Sequence, residues 1–128
     1  MGLVAAFATK LSDTFASEIG KAYGNNCYLI TNFTKVPKGT EGAVSLEGTL
    51  AGIGGGFLIS LAALNLNLIN SYQELFIINV AAFVATTIES YLGATLQDKQ
   101  PWITNEFINL INTIIGATIA IILEKLIY

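Results

Sequence analysis

Residues 49–69 read TLAGIGGGFLISLAALNLNLI, a run without a single charged side chain. A helix needs about 20 predominantly apolar residues to cross a bilayer, and this stretch has both the length and the apolarity. Its glycines at 52, 54, 55 and 56 would weaken a helix in water. In lipid, small residues let helix backbones approach closely, so these positions are expected at a helix interface. Two more stretches share the character: 75–96 (LFIINVAAFVATTIESYLGATL) and 105–127 (NEFINLINTIIGATIAIILEKLI). The pattern predicts an all-α, polytopic membrane helix bundle with three clear transmembrane helices at about 49–69, 75–96 and 105–127. A fourth helix, amphipathic or spanning, is expected at about 1–24, all within one membrane domain, 1–128.

The composition agrees. Hydrophobic residues make up 53% of the chain and charged ones 12%, whereas soluble domains run near a quarter charged. The six basic residues are all lysines and the net charge is −3, which leaves no basic footprint for a nucleic acid. The absence of His removes the commonest base near neutral pH. Chemistry is left to carboxylates, lysines, hydroxyls or a hard cation. Cys27 is the lone cysteine and is read as a bystander, since it has no disulfide or zinc partner. The opening MGLVAAFATKLSDTFASEIG has no basic segment before its apolar part and interrupts that part with Lys10, Asp13 and Glu18. It reads as mature structure instead of a signal peptide.

Lysines set the expected topology. Lys21, Lys35 and Lys38 fall in the first connection and Lys99 in the third (QDKQPW, 97–102), with none in the second (NSYQE, 70–74), a short hairpin. Enrichment of lysine on one side places the first and third connections on the same face. Lys125 runs against the bias and is accommodated by snorkelling. The first connection, about 25–48, carries Pro37, Gly39, Gly42 and Gly48 and reads as a structured loop or re-entrant segment.

Charge inside a span costs about 2.5–3.5 kcal/mol and by default marks a functional position. Asp13 and Glu89 are the strongest cases. At helical spacing Gly2, Ala6, Thr9, Asp13, Ser17, Gly20 and Gly24 share one face, opposite Val4, Leu11, Phe15 and Ile19, which are expected toward lipid. Asn79, Ala82, Thr86, Gly93 and Gln97 lie close in phase to Glu89. Two readings remain open. Each acid pairs with a neighbour, such as Asp13 with Lys10 or Lys21, and orients helices; or the two carboxylates hold a divalent cation such as Mg²⁺, with phosphates completing its shell. The glycine-rich loop feeding the span near Thr49 offers backbone amides to phosphate. Lys35 and Lys38 are available to neutralise phosphate charge, and Thr40 and Ser45 to donate hydrogen bonds or ligate Mg²⁺. GxxxxGK[ST] is absent, and Ser45 and Thr49 as helix caps explain the same residues structurally.

DTFASEIG (13–20), LITNFTKVPKGTEGAVSLEGTLAG (29–52) and ESYLGATLQ (89–97) together resemble the transmembrane-protein-19-like family, whose plant branch is the chloroplast phytyl-phosphate kinase. A looser resemblance extends to polyprenol kinases and phosphatidate cytidylyltransferases. Their D-x-x-A-x-x-x-G-x-x-x-G pattern is met by Asp13, Ala16, Gly20 and Gly24, and their S-x-E-G element by Ser45, Leu46, Glu47 and Gly48. The resemblance implies a kinase that passes the γ-phosphate of a nucleoside triphosphate to phytyl phosphate, for tocopherol and phylloquinone synthesis, in a plastid or other photosynthetic membrane. On this expectation Asp13 and Glu89, with Glu18, hold Mg²⁺. Glu47 is the alternative to Glu18 on the metal; Lys38, Lys21 and the amides of Gly39, Thr40 and Gly42 hold the phosphates; Ser45, Glu47, Gly48 and Gln97 belong to the cofactor-binding set; and an isoprenyl phosphate or membrane lipid is the partner. The resembling family has further spans before the Asp-bearing helix, so the chain looks like a C-terminal half, either a truncated or split gene product or one whose missing helices a partner supplies. A non-catalytic, lipid-binding or partner-stabilising subunit is the alternative. A small transporter is the third reading, for which only the echo of YLGATLQ in IIGATIA hints at a repeat.

Overall fold

The computed structural model describes residues 1–40, 42–95 and 104–128, with the backbone but not the side chain of Asn105. Four helices form the body: α1 (Gly2–Tyr23), α2 (Leu46–Asn65), α3 (Tyr72–Thr95) and α4 (Asn105–Ile127). Between α1 and α2 lie three short strands, β1 (Cys27–Leu29), β2 (Lys35–Val36) and β3 (Ala43–Val44). They form an antiparallel sheet in the order β2-β1-β3. The first connection is thus a folded cap with a sheet of its own, where a loop or re-entrant segment was expected.

Local chemistry sets the helix starts. Ser45 caps α2 by accepting from the Gly48 N–H at 3.1 Å, and the Thr49 hydroxyl donates to the Ser45 carbonyl at 2.8 Å, so α2 begins three residues ahead of the expected boundary. At α3 the Glu74 N–H donates to Ser71 Oγ at 3.2 Å while Glu74 Oε2 accepts from the Asn70 N–H at 3.0 Å. This reciprocal arrangement is close to a capping box and draws the start forward to Tyr72. The other end of the chain closes on the same place, where the Tyr128 hydroxyl donates to Gln73 Oε1 at 2.7 Å.

Helices α2, α3 and α4 are long and apolar enough to cross a membrane. Large apolar side chains such as Leu3, Phe7, Leu50, Phe57, Phe76, Leu110 and Ile114 face outward. In water such a surface would be an aggregation liability; against lipid tails it is the expected exterior.

The least apolar helix, α1, packs on all three others, as α3 also does. The buried residues of α1 are Val4, Ala5, Ala8, Thr9, Ser12 and Asp13, a stripe turned by about a quarter-turn from the face expected on small residues alone. Val4, expected toward lipid, is buried, and the exposed positions are Leu3, Phe7, Lys10, Thr14, Glu18, Lys21, Ala22 and Tyr23. The reason is that the small residues serve different neighbours. Toward α2, a Cβ at Gly48 would lie 2.7 Å from the Ala16 carbonyl oxygen, and one at Gly52 would lie 3.1 Å from the Ser12 carbonyl oxygen. Toward α4, Thr9 presses on Gly116. Gly55 and Gly56 are also buried at helix contacts, but Gly54 has open space around it and belongs to no interface. Its absence of a side chain is not explained by packing.

The interior is filled unevenly. Val4, Ala5, Ala8, Ala63, Ile69, Ile77, Ile78, Ala81 and Ala120 join in one apolar cluster at the end of the bundle far from the sheet. Asn79 pins that region by donating to Ser60 Oγ at 2.7 Å, from α3 to α2. The end beneath the sheet is hollow.

Candidate functional site

The hollow is a cavity of about 300 Å³. Its walls are the middle and C-terminal parts of α1, the N-terminal turns of α2, α3 from Phe83 to Gly93, Asn109 of α4, and the loop from Gly39 to Ser45. It runs from the sheet-bearing face, where Lys35 and Lys38 lie, to the middle of the helices.

Two acids meet in it. Asp13 is buried at 6% exposure, and its carboxyl lies within hydrogen-bonding reach of the Glu89 carboxyl. Two carboxylates cannot share such a contact while both are charged and unscreened; a proton or a cation must lie between them. Lys10 and Lys21 act on Asp13 electrostatically from its own helix, and both line the cavity.

The loop is held over this pair by Gly42. Its φ is +78°, and a Cβ there would fall 2.7 Å from Ala94 Cα and 2.8 Å from the Ser90 carbonyl oxygen. Only glycine permits both that dihedral and that approach. The Thr40 hydroxyl and N–H both point to the Pro37 carbonyl, at 2.8 and 3.3 Å, forming the turn that carries Gly39 and Thr40 to the cavity wall.

The sequence-derived residues divide accordingly. Asp13, Glu89, Lys21, Gly39, Thr40, Gly42, Ser45 and Gly48 all line the cavity. Glu18 reaches its wall but is exposed and paired with Lys21 at 3.9 Å, so it does not join the acid pair. Among the described residues no three of His, Cys, Asp and Glu converge as a metal cage. Lys38 is exposed and outside the cavity lining. Glu47 faces a shallow depression on the other side of β3, near Tyr28 and Phe33, and accepts from Asn25 Nδ2 at 3.4 Å. Gln97, Lys99 and the third connection lie outside the described residues. Ser45 is both helix cap and cavity wall. Cys27, read as a bystander, is buried at 6% exposure under the sheet.

Lys10, Thr86 and Asn109 enter the cavity without having been singled out as site residues. Lys10 stands one turn before Asp13, and Asn109 is followed one turn on by Asn112 within a largely apolar span; each signal was present in the sequence.

An Mg²⁺ ion is commonly bound through one or two carboxylates, waters and substrate phosphates. Asp13 and Glu89 offer two carboxylates for that purpose, with Thr and Asn side chains in the same lining and the Lys10 and Lys21 ammonium groups beside them for anionic phosphates.

Comparison with known proteins accords with the fold. The family model described as "Integral membrane protein DUF92" matches residues 1–117. The chain is 56% identical over 124 residues to the uncharacterized membrane protein sll0875 of Synechocystis sp., covering 97% of this chain and 48% of that protein. It is 44% identical over 129 residues to the Arabidopsis thaliana protein VTE6, chloroplastic, covering 99% and 38% respectively. With the uncharacterized membrane protein MJ0933 of Methanocaldococcus jannaschii it shares 35% over 123 residues, 96% of this chain and 50% of that one. The chain therefore spans half or less of the length of these relatives. No solved structure matches. The chain belongs to the DUF92 family of integral membrane proteins.

Proposed function

We propose that this multi-pass membrane protein is the phosphate-handling, C-terminal part of a membrane-embedded isoprenyl-phosphate kinase. The reaction is transfer of the γ-phosphoryl group of a nucleoside triphosphate to phytyl phosphate, giving phytyl diphosphate and the nucleoside diphosphate. The observation that carries the reading is the pair of buried Asp13 and half-buried Glu89, which line one cavity at the lysine-bearing end of the bundle with Lys10 and Lys21. The resemblance of the Asp13, Ser45 and Glu89 segments to the phytyl-phosphate kinases supports the choice of substrate. The chloroplastic Arabidopsis relative supports a plastid or other photosynthetic membrane. Because the relatives are about twice as long, the activity is assigned to a membrane unit of that full length, with the additional helices supplied in the same or another chain.

The chemistry suits a site without histidine. The acceptor is a phosphate monoester whose second ionisation falls near pH 6, so its oxygen is already a nucleophile at neutral pH and needs no base. That oxygen bonds to the γ-phosphorus as the bond to the β-bridging oxygen breaks. What remains is positioning and charge neutralisation. Mg²⁺, when bound, would supply the latter. Asp13 and Glu89 would hold it, Lys10 and Lys21 would attract the phosphates, and Gly39, Thr40 and Gly42 of the cavity wall would lie beside them. In this role Lys10 takes the place expected of Lys38. Ile53 and Phe83 line the cavity and are also exposed to the surroundings, which gives an apolar tail a way out into lipid.

The test is an assay of membranes containing the chain within a full-length unit, given phytyl monophosphate, Mg²⁺ and each nucleoside triphosphate in turn. Phytyl diphosphate is expected, with Asp13→Asn and Glu89→Gln each lowering its rate at least about 100-fold, as loss of a charge-stabilising group does. Normal rates in either variant, or no product from the unsubstituted protein with any nucleotide, would sink the proposal and leave a non-catalytic lipid-binding role.

A further inference from the structure

Among the described residues, four side-chain oxygens are buried without a hydrogen-bond partner: Thr9 Oγ1, Thr86 Oγ1, Asn109 Oδ1 and Asn112 Oδ1. Thr9 and Asn112 are 0% and 1% exposed as whole residues. Their placement is not scattered. Thr9 is one turn from Asp13 on α1, Thr86 one turn from Glu89 on α3, and Asn112 one turn from Asn109 on α4. Thr86 and Asn109 line the same cavity as both acids, and Thr9 rests against α4 at Gly116. Two of these oxygens thus belong to residues that line the cavity holding the carboxylate pair, Thr86 and Asn109, while Thr9 and Asn112 lie one turn away on α1 and α4. In a lipid-embedded bundle no bulk water is present to satisfy them.

We infer that α4 takes part in the cation site, with Asn109, backed by Asn112, supplying neutral oxygen ligands to a divalent cation held between Asp13 and Glu89. The inference rests on the cation-binding part of the function proposed above. A hard divalent ion takes six or more oxygen ligands, and two carboxylates leave most of its shell open. An amide oxygen and a threonine hydroxyl add ligands without adding negative charge, which keeps room for anionic phosphates on the remaining positions. A carboxylate in place of Asn109 would bind the ion more tightly and repel the phosphates. Hydration, with a proton shared between the two acids, would also satisfy these oxygens, but it would give no Mn²⁺ affinity to be lost on substitution at Asn109.

The experiment uses the full chain in detergent and Mn²⁺ as the probe, with free Mn²⁺ followed by electron paramagnetic resonance and no nucleotide present. Binding is expected in the unsubstituted chain. Asn109→Leu should weaken it at least about 10-fold, the scale on which metal-supporting groups act. Asn109→Asp should keep or tighten it, and Thr86→Val provides a second, smaller perturbation should Asn109→Leu fail to fold. Mn²⁺ binding that is unchanged in folded Asn109→Leu or Thr86→Val overturns the inference, as does equal weakening by Leu and Asp. Binding that depends on Asn109 in a full-length unit with no phosphoryl transfer upholds the inference and refutes the kinase alone. Transfer that proceeds while Asn109→Leu leaves Mn²⁺ affinity untouched does the reverse.

Discussion

Substituting alanine at Gly42 and Gly39 separates backbone strain from steric contact within one loop. Both glycines have positive φ, +78° and +84°, so alanine at either pays the left-handed penalty of about 1–2 kcal/mol. Only Gly42 is pressed on a neighbour: its Cβ would fall 2.7 Å from Ala94 Cα and 2.8 Å from the Ser90 carbonyl oxygen, whereas at Gly39 nothing lies within 4 Å. Backbone atoms cannot swing aside, so Gly42→Ala should carry an additional overpacking cost of about 1–3 kcal/mol. Cys27, the lone cysteine, is buried in the adjoining β1 and reports on opening of the cap. If labelling of its thiol by a water-soluble maleimide proceeds through local opening, Gly39→Ala should speed it by about 5- to 30-fold. Gly42→Ala should add roughly a further 5- to 150-fold. Equal labelling rates in the two variants would refute the claim that the loop is fastened to α3 through Gly42.

Other substitutions probe the frame around the site. Ser45→Ala removes the cap on Gly48 and should lower stability by about 1 kcal/mol, read as a reduced midpoint of thermal unfolding in detergent, with Ser45→Asp restoring it. Gly116→Ala would drive a methyl into Thr9 and should cost about 1–3 kcal/mol; Gly54→Ala, with open space around it, should cost nothing measurable in the same melt. Asn79→Leu loses the bond to Ser60 and should destabilise by about 0.6–1.7 kcal/mol, the range found for interhelical hydrogen bonds in lipid.

Much of the bundle was legible because hydropathy is a property of the residues themselves. The α4 boundaries match the expected 105–127, and the misplaced starts of α2 and α3 trace to single caps at Ser45 and Ser71. The orientation of α1 was less legible. A helical wheel shows which residues are small, but not that Ser12, Ala16 and Gly20 meet α2 while Thr9 meets α4 and Asp13 meets α3. The strands, two or three residues each, are too short to show alternation. At the site, the phase of Asp13 and Glu89 relative to the small residues around them pointed to the cavity. Lys10 was read only as a partner for Asp13, and Asn109 was passed over because one amide barely changes the hydropathy of a span. Lys38 drew attention through its place in a phosphate-like loop, but proximity in sequence did not carry it into the cavity.

The packing of α1 on all three other helices bears on how the protein is assembled. With Lys10, Asp13, Glu18 and Lys21 along its length, α1 is not among the helices apolar enough to enter a bilayer by partitioning alone. Its seat depends on the close backbone contact with Gly48 and Gly52 of α2. Insertion of α1 should therefore be conditional. In a translocation reporter assay, α1 by itself is expected to fail as a span and to succeed when synthesis has brought α2 into the membrane beside it. The acid that lines the candidate site would then reach the bilayer interior only with α2 in place.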